Sequence, residues 1–459
     1  MSRGFYSLTF SILALFVLAC CTGCPQPTPP VAKPQGNGTG TTENVEPPKE
    51  KSPPDDPELV KSLQDAGHKL KLDDEGHVVE ATLVPLGDVE KTVALLENVA
   101  KLPHLVRLKA GGPDVTNAGL EKIQGLKKLR VLDLDQAGVD DAGMKYLVDL
   151  PLVDINLKLT NIQDDGLKDL AKIKTLKQLK LIKTKVTNAG IAHVKGMESL
   201  EGIDLQDVNT VDSACLNDIK GLKKLRFLRI YGPTFDGDGI APIGEMTTLR
   251  TLSMQQTGVS DDNVKYLKDL VNLEKLYLYG TRVTDTGMAQ LAGLTKLKEL
   301  ELRATACGGD GMEYLKQMLD LQMLDLSECN APTLDKALET IGTLKHLEDL
   351  NLWNTYLTDN GVASLSGLTT LKALNLDNIK GVTDASMDTI AKLTSLEYLH
   401  LGGTGITDAG LAKLHTLKNL KKSGDRPGLV LTFTNTSDAA VEALMEAIPA
   451  LKEDGAIRR

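Results

Sequence analysis

The stretch LYGTRVTDTGMAQLAGLTKLKELEL, Leu278 to Leu302, ends on the kind of leucine with which it begins. It is one period of a pattern. The residue that opens each Leu-x-x-Leu-x-x-Leu-x-Leu run falls at Leu102, Leu126, Leu150, Ile173, Met197, Leu222, Met246, Leu270, Leu294, Met318, Leu344, Leu368, Leu393 and Leu417, in steps mostly of 24 residues and otherwise of 23, 25 or 26. Within the period, Leu276-x-Leu278 and Leu300-x-Leu302 alternate as a short strand does, leucines inward and the intervening residues outward. Tyr279 and Gly280 mark a turn, and Thr281 follows at a place held elsewhere by Thr160, Thr184, Thr257, Thr305, Thr355 and Thr404. A buried hydroxyl there can satisfy turn backbone groups that are costly to bury bare. Val283-Thr284-Asp285-Thr286-Gly287-Met288 comes next, with equivalents at 186–191 and 406–411. Its threonine suits a helix N-cap and its early Asp the positive end of the helix dipole. Met288, Leu291 and Leu294 then recur at helical spacing, so a short helix carries the chain to the next strand.

A chain of 459 residues has room for two or three ordinary domains, but one register held across more than 300 residues overrides that prior. A single unit cannot bury its own leucine face, whereas stacked units share a continuous core. This period with this leucine pattern is the signature of a leucine-rich-repeat solenoid. The expected fold class is therefore α/β, a horseshoe with parallel strands on its concave face and short helices on its convex face. The repeats are placed at 102–422, between an N-terminal cap at 56–101 and a C-terminal cap at 423–459. In the first cap Asp56-Pro57-Glu58 starts a helix that Gly67 ends, and Leu70 to Leu83 reads as a hairpin turning at Asp73 to Gly76. In the second, Gly428 to Phe433 reads as a strand, Ser437-Asp438 opens a helix reaching Ile448, and Gly455 to Arg459 is expected to fray.

The N-terminus differs in character. Arg3 precedes an apolar run from Leu8 to Leu18, shorter than a membrane-spanning helix and proportioned like a secretory signal. Residues 1–19 are read as that signal. Small residues directly before Cys20, or alternatively before Cys24, make these the candidate acylation sites, Cys20 first. Residues 20–55, rich in Pro, Gly, Thr, Lys and Glu, are expected to form a disordered tether with an extended reach on the order of 90 Å.

Catalytic chemistry finds little support. There is no Gly-x-Ser-x-Gly elbow, no phosphate-cradling Gly-Lys-Ser/Thr loop and no His-Glu-x-x-His pattern, so no catalytic residue, metal ligand or cofactor is assigned. Asp236-Gly237-Asp238-Gly239 resembles a fragment of a calcium loop but falls in register with Thr284 to Gly287 and lacks the spaced acidic ligands of a full loop. Cys329 stands at the repeated threonine, Cys307 at the repeated valine and Cys215 at the repeated glycine. Cys307 and Cys329 lie in neighbouring coils at different phases, which argues against their pairing.

The outward strand positions form three columns along the concave face. The chain has one Trp, nine Tyr and six Phe, of which Phe5, Tyr6, Phe10 and Phe16 belong to the apolar N-terminus. Half of the remainder, Phe227, Tyr231, Tyr277, Tyr279, Trp353 and Tyr398, fall in these columns. Tyr, Trp and Arg are the residues that most often anchor interfaces. The candidate partner-binding set is therefore Phe227, Arg229, Tyr231, Lys275, Tyr277, Tyr279, Arg303, Trp353 and Tyr398, centred on Phe227 to Arg303. Strand positions also favour aromatics through cross-strand packing, which accounts for Tyr277 and Tyr279 more readily than for Trp353. By contrast Tyr146, Tyr266 and Tyr314 share one helix-surface position.

The signal with Cys20, the Pro-rich linker and the recurrent Thr-Asp-Ala-Gly-Leu resemble bacterial leucine-rich-repeat lipoproteins of the ribonuclease-inhibitor-like superfamily. The resemblance implies export, a lipid anchor in the cell envelope, at the periplasm or outer membrane, and a non-catalytic binding role. The Thr-Asp-x-Gly-Leu units are also similar to the repeats of F-box proteins, which would imply a ubiquitin-ligase substrate adaptor; the segment before these repeats reads as a proline tether and one capping helix, without an F-box. A formal charge of −10 without a basic stripe argues against nucleic acid. The mixed charges of the concave columns suit a protein or peptide ligand. An envelope polysaccharide is the alternative, and a ligand-free structural spacer the third reading.

Overall fold

The computed structural model describes residues 53–459 except Asn330 and Thr333. Cys20, Cys24 and nearly all of the expected signal and tether lie outside the described residues. The described chain forms one compact unit from Pro53 to Arg459.

Asp56 caps helix Pro57–Asp65 through Glu58 N, and strands β1 (Lys69–Leu72) and β2 (Val78–Thr82) form the antiparallel hairpin. From β2 onward every strand pairs in parallel with the next one in sequence. The ladder runs through β3 (Arg107–Lys109), β4 (Val131–Asp133), β5 (Asp154–Asn156), β6 (Gln178–Lys180), β7 (Gly202–Asp204), β8 (Phe227–Tyr231), β9 (Thr251–Gln255) and β10 (Lys275–Tyr277). It continues through β11 (Glu299–Glu301), β12 (Met323–Asp325), β13 (Asp349–Asn351), β14 (Ala373–Asn375), β15 (Tyr398–His400), β16 (Leu429–Val430) and β17 (Ile457–Arg458). The register is constant: Leu276 sits opposite Leu252 and Leu300. Short α and 3-10 helices return the chain between strands. The sheet is open, and with its helices makes the expected α/β horseshoe solenoid.

One end departs from expectation. Gly455 to Arg459 does not fray: Ile457 and Arg458 add the last strand to β16, Ala456 is fully buried, and Arg459 bonds Thr436 O and pairs with Asp438. The hydrogen-bonding edge of β16 would otherwise be bare, and these residues cover it.

The core is a column of leucines, with Leu252, Leu276, Leu300, Leu324 and Leu350 all at 0 % exposure. Beside it runs a ladder of threonines. Thr160, Thr184, Thr257, Thr281, Thr305, Thr355 and Thr404 each donate Oγ1 to the carbonyl three residues back at 2.6–2.8 Å. Cys329, at the same place, donates its thiol instead to Leu302 O of the preceding coil at 3.1 Å. The three described cysteines are free and buried, and burial pushes the Cys215 thiol up to about 12.

The Asp of the Thr-Asp-x-Gly motif has a larger role than a charge at a helix end. Asp261 accepts from Thr284 N at 2.8 Å and Thr284 Oγ1 at 2.6 Å, one repeat further on. Asp164 binds Thr187 in this way, Asp335 Thr358, Asp359 Thr383, Asp384 Thr407 and Asp408 Ser437. At these six joints one repeat thus holds the next by its N-cap. The glycine follows from this: a Cβ at Gly361 would stand 2.3 Å from Asp335 Oδ1, and one at Gly190 2.3 Å from Asp164 Oδ1. Where the motif carries Ser386 instead, its hydroxyl donates to Asp359.

The turn after each strand passes through the left-handed region. Gly280 (φ 66°) does so at no steric cost, but Lys183 (55°), Ala304 (51°), Glu328 (59°) and Phe433 (56°) hold the same place.

Candidate functional site

The parallel ladder fixes the three outward columns, because residues in register lie roughly 4.8 Å apart from strand to strand. Lys275 follows Thr251 and precedes Glu299 in one column, and Tyr277 stands between Ser253 and Glu301 in the next. At or just beyond the strand ends, the third column carries Tyr231, Gln255, Tyr279, Arg303, Ser327 and Trp353.

From β8 to β13 these columns form two tiers. In the first, Phe227 lies 5.4 Å from the Arg229 guanidinium, and Arg229 Nη1 donates to Asp204 at 2.8 Å. On the far side of β9, Lys275 Nζ meets Glu299 at 2.6 Å and Tyr277 Oη donates to Glu299 at 2.5 Å. The small side chains of β9 lie between these walls: Thr251 is 7 % and Ser253 1 % exposed, and the Ser253 hydroxyl has no partner.

The second tier is a stack. The Arg303 guanidinium lies 4.8 Å from the Tyr279 ring and 5.1 Å from Trp353, with its Nε donating to Glu328 at 2.8 Å. Ser327, between the strands that bear Arg303 and Trp353, is fully covered. An arginine held between two aromatic rings and a carboxylate has already lost its side-chain freedom, so it presents an ordered face.

Tyr398 stands apart. It is 8 % exposed and lies beneath Arg426, whose guanidinium is 3.6 Å from its ring centroid. Tyr231 is half-buried in the third column, and burial with the nearby Asp207 charge pushes its phenol up. Off this face, Tyr266 donates to Asp238 at 2.6 Å on the helix side, and Tyr314 is exposed.

A leucine-rich-repeat family profile matches residues 392–414. No curated protein matches the sequence. Among solved structures, an internalin (inlF) of Listeria monocytogenes is similar at 20 % identity and a TM-score of 0.53, over 72 % of this chain and 93 % of that one. A leucine-rich-repeat protein of Leptospira interrogans is similar at 18 % identity and a TM-score of 0.53, over 87 % and 98 %. A chain of the mouse RP105/MD-1 complex is similar at 17 % identity and a TM-score of 0.51, over 77 % and 63 %. The fold is a leucine-rich-repeat solenoid.

On the concave face of this solenoid the charges are unevenly matched. In the first half they pair across strands, Lys158 with Asp135 at 3.3 Å and Lys180 with Asp154 at 3.1 Å, while Asp133 accepts from the Asn156 amide at 2.8 Å. From β11 to β13 carboxylates are in excess. Burial and the Asp325 charge push Glu301 up to about 7, against the opposing Gln255 hydrogen bond. Burial pushes Asp349 up to about 6, against the Arg426 charge. It raises Asp325 as well, despite hydrogen bonds from Ser327 and Asn351. Among the described residues no cluster of His, Cys, Asp or Glu could hold a metal ion.

The sequence marks the aromatics of the leucine-rich-repeat solenoid but not Arg426. Its signal was a break in spacing: Leu417 and Leu420 lead to Leu429 where the period calls for a leucine three residues on.

Proposed function

We propose that this chain is a non-catalytic interaction module that binds a protein or peptide on the concave face between β8 and β13, held at the cell envelope by a lipid on Cys20. The observation that carries the binding reading is the Tyr279–Arg303–Trp353 stack, an ordered aromatic and cationic surface beside carboxyl groups that burial leaves short of counter-charge. Aromatic and arginine anchors of this kind dominate the energetics of many interfaces. The fold supports a protein partner, since one solved structure similar to it is a complex, mouse RP105/MD-1. The N-terminal apolar run, the small residues before Cys20 and the proline-rich tether support envelope anchoring.

The test compares full-length protein with a Tyr279→Ala/Trp353→Ala double variant of matched circular dichroism, in capture from solubilised envelope. Retention of a protein by the native face, at least tenfold above the variant, is the expected outcome. Retention of polysaccharide would move the reading to a glycan ligand, and equal retention would leave a spacer.

A further inference from the structure

The C-terminal end of the concave face carries a feature that the repeat does not need. Six extra residues separate Leu420 from Leu429, since the other coils place these leucines three apart. They fold into a tight turn in which Ser423 and Arg426 exchange backbone hydrogen bonds. The turn lays Arg426 over Tyr398, beside a cavity of about 240 Å³ whose wall also includes Asp349, Ala373 and Pro427. Insertions in such solenoids collect on one face, often the binding face.

Of the charges around the cavity, two lysines are already paired. Lys372 pairs with Glu348 at 2.8 Å and Lys421 with Glu397 at 3.0 Å. Arg426 lies on the same wall with no carboxylate in the ion pairs formed among the described residues, and its Nε is buried with no hydrogen-bond partner. Burial closes that Nε–H to an incoming group, so the half-exposed Arg426 meets the cavity through its Nη groups. Asp349 lines the same cavity and acts on Arg426 through charge, without an ion pair.

From this geometry we propose that Arg426 is the anchor of a subsite for a carboxylate, the acidic side chain of a peptide lying along the concave face. The planar guanidinium, fixed from behind by Tyr398, offers its Nη–H groups end-on to two carboxylate oxygens. The cavity is below the range of a drug-sized ligand pocket and admits a side chain. Asp349 sets a condition, because its own charge opposes an incoming anion. The subsite rests on the concave-face reading only in assigning the carboxylate to a polypeptide; its chemistry stands by itself.

The experiment uses small probes, so that its result does not depend on any protein partner. Full-length protein labelled with 15N-arginine is titrated with N-acetylglutamate and, separately, with N-acetylglutamine, following the Nε–H resonance assigned by its loss in Arg426→Gln. The expected result is a saturable shift of that resonance with N-acetylglutamate, at least tenfold weaker with N-acetylglutamine, and a severalfold tighter response in Asp349→Asn. Equal response to both probes, or a resonance that moves with neither, overturns the proposal and leaves Arg426 as a cover for Tyr398. If Arg426→Gln does not fold, Arg426→Lys supplies the assignment and the titration of the native chain decides. Failure of envelope capture with a positive titration would refute the partner and retain the subsite.

Discussion

The joints between repeats and the concave face are made from the same residue types and treat them in opposite ways. At the joints, Asp359 meets Thr383 N at 2.8 Å, Thr383 Oγ1 at 2.6 Å and the Ser386 hydroxyl. These donors outweigh burial and hold its carboxyl below the usual range. On the concave face Glu301 has Gln255 at 2.6 Å, and burial with Asp325 nearby pushes it up to about 7. One carboxylate is satisfied within the fold; the other is left with capacity for something outside it. Full satisfaction marks the joints, and the deficit on the concave face is what the proposed partner surface draws on.

Breaking a joint should give the largest effect. Gly361→Val drives its Cβ into Asp335 Oδ1 and is expected to cost about 3 kcal/mol in urea unfolding, whereas Gly361→Ser should cost well under half of that, because Ser386 already occupies the equivalent place and bonds the preceding Asp. A serine as damaging as the valine would show that the Asp ladder is not what excludes side chains there. The joints also set an acid limit. Asp359 and Asp408 have folded pKa values below the ordinary 3.8. Their stabilisation is therefore present above about pH 4 and lost as pH falls through the lower folded values.

Glu301 gives the opposite slope. Its folded pKa of about 7 lies above the usual 4.5, so between these values the native state holds the extra proton. Stability should fall as pH rises from 5 to 8, by on the order of 1–2 kcal/mol. Glu301→Gln should flatten most of that slope while Asp349 retains a smaller part of it. A profile unchanged by Glu301→Gln would remove the contrast between the two faces.

The smallest effect concerns the turns. Phe433 is 94 % exposed at φ 56°, a conformation costly for any side chain and free for glycine. Phe433→Gly is expected to stabilise by about 0.5 kcal/mol, read as a small rise in the urea midpoint.

Much of this was legible beforehand. Leucine spacing gave strands, turns and helices because each position in the period has one steric role, and the threonine column was readable because a buried hydroxyl must find an acceptor. The role of Asp in Thr-Asp-x-Gly was only half legible: a helix-capping reading is local, while Asp261 to Thr284 crosses between repeats and exists only once the coils are stacked. The aromatics stand at outward positions in strand register, yet Tyr398 is covered, since the covering residue comes from an insertion outside the period. The closure of the sheet by Ile457 and Arg458 was missed because a two-residue strand has no pattern to show.

The joint has a further consequence for how such a chain changes over generations. In six joints an Asp reaches forward to a Thr or Ser in the following coil, so those coils present the same socket at their start. A whole period can therefore be duplicated or lost between two matching sockets without redesigning either side. The reach of the concave face becomes a quantity that heredity adjusts in steps of one coil, roughly 5 Å each. The outward residues of the new coil are then free to diverge.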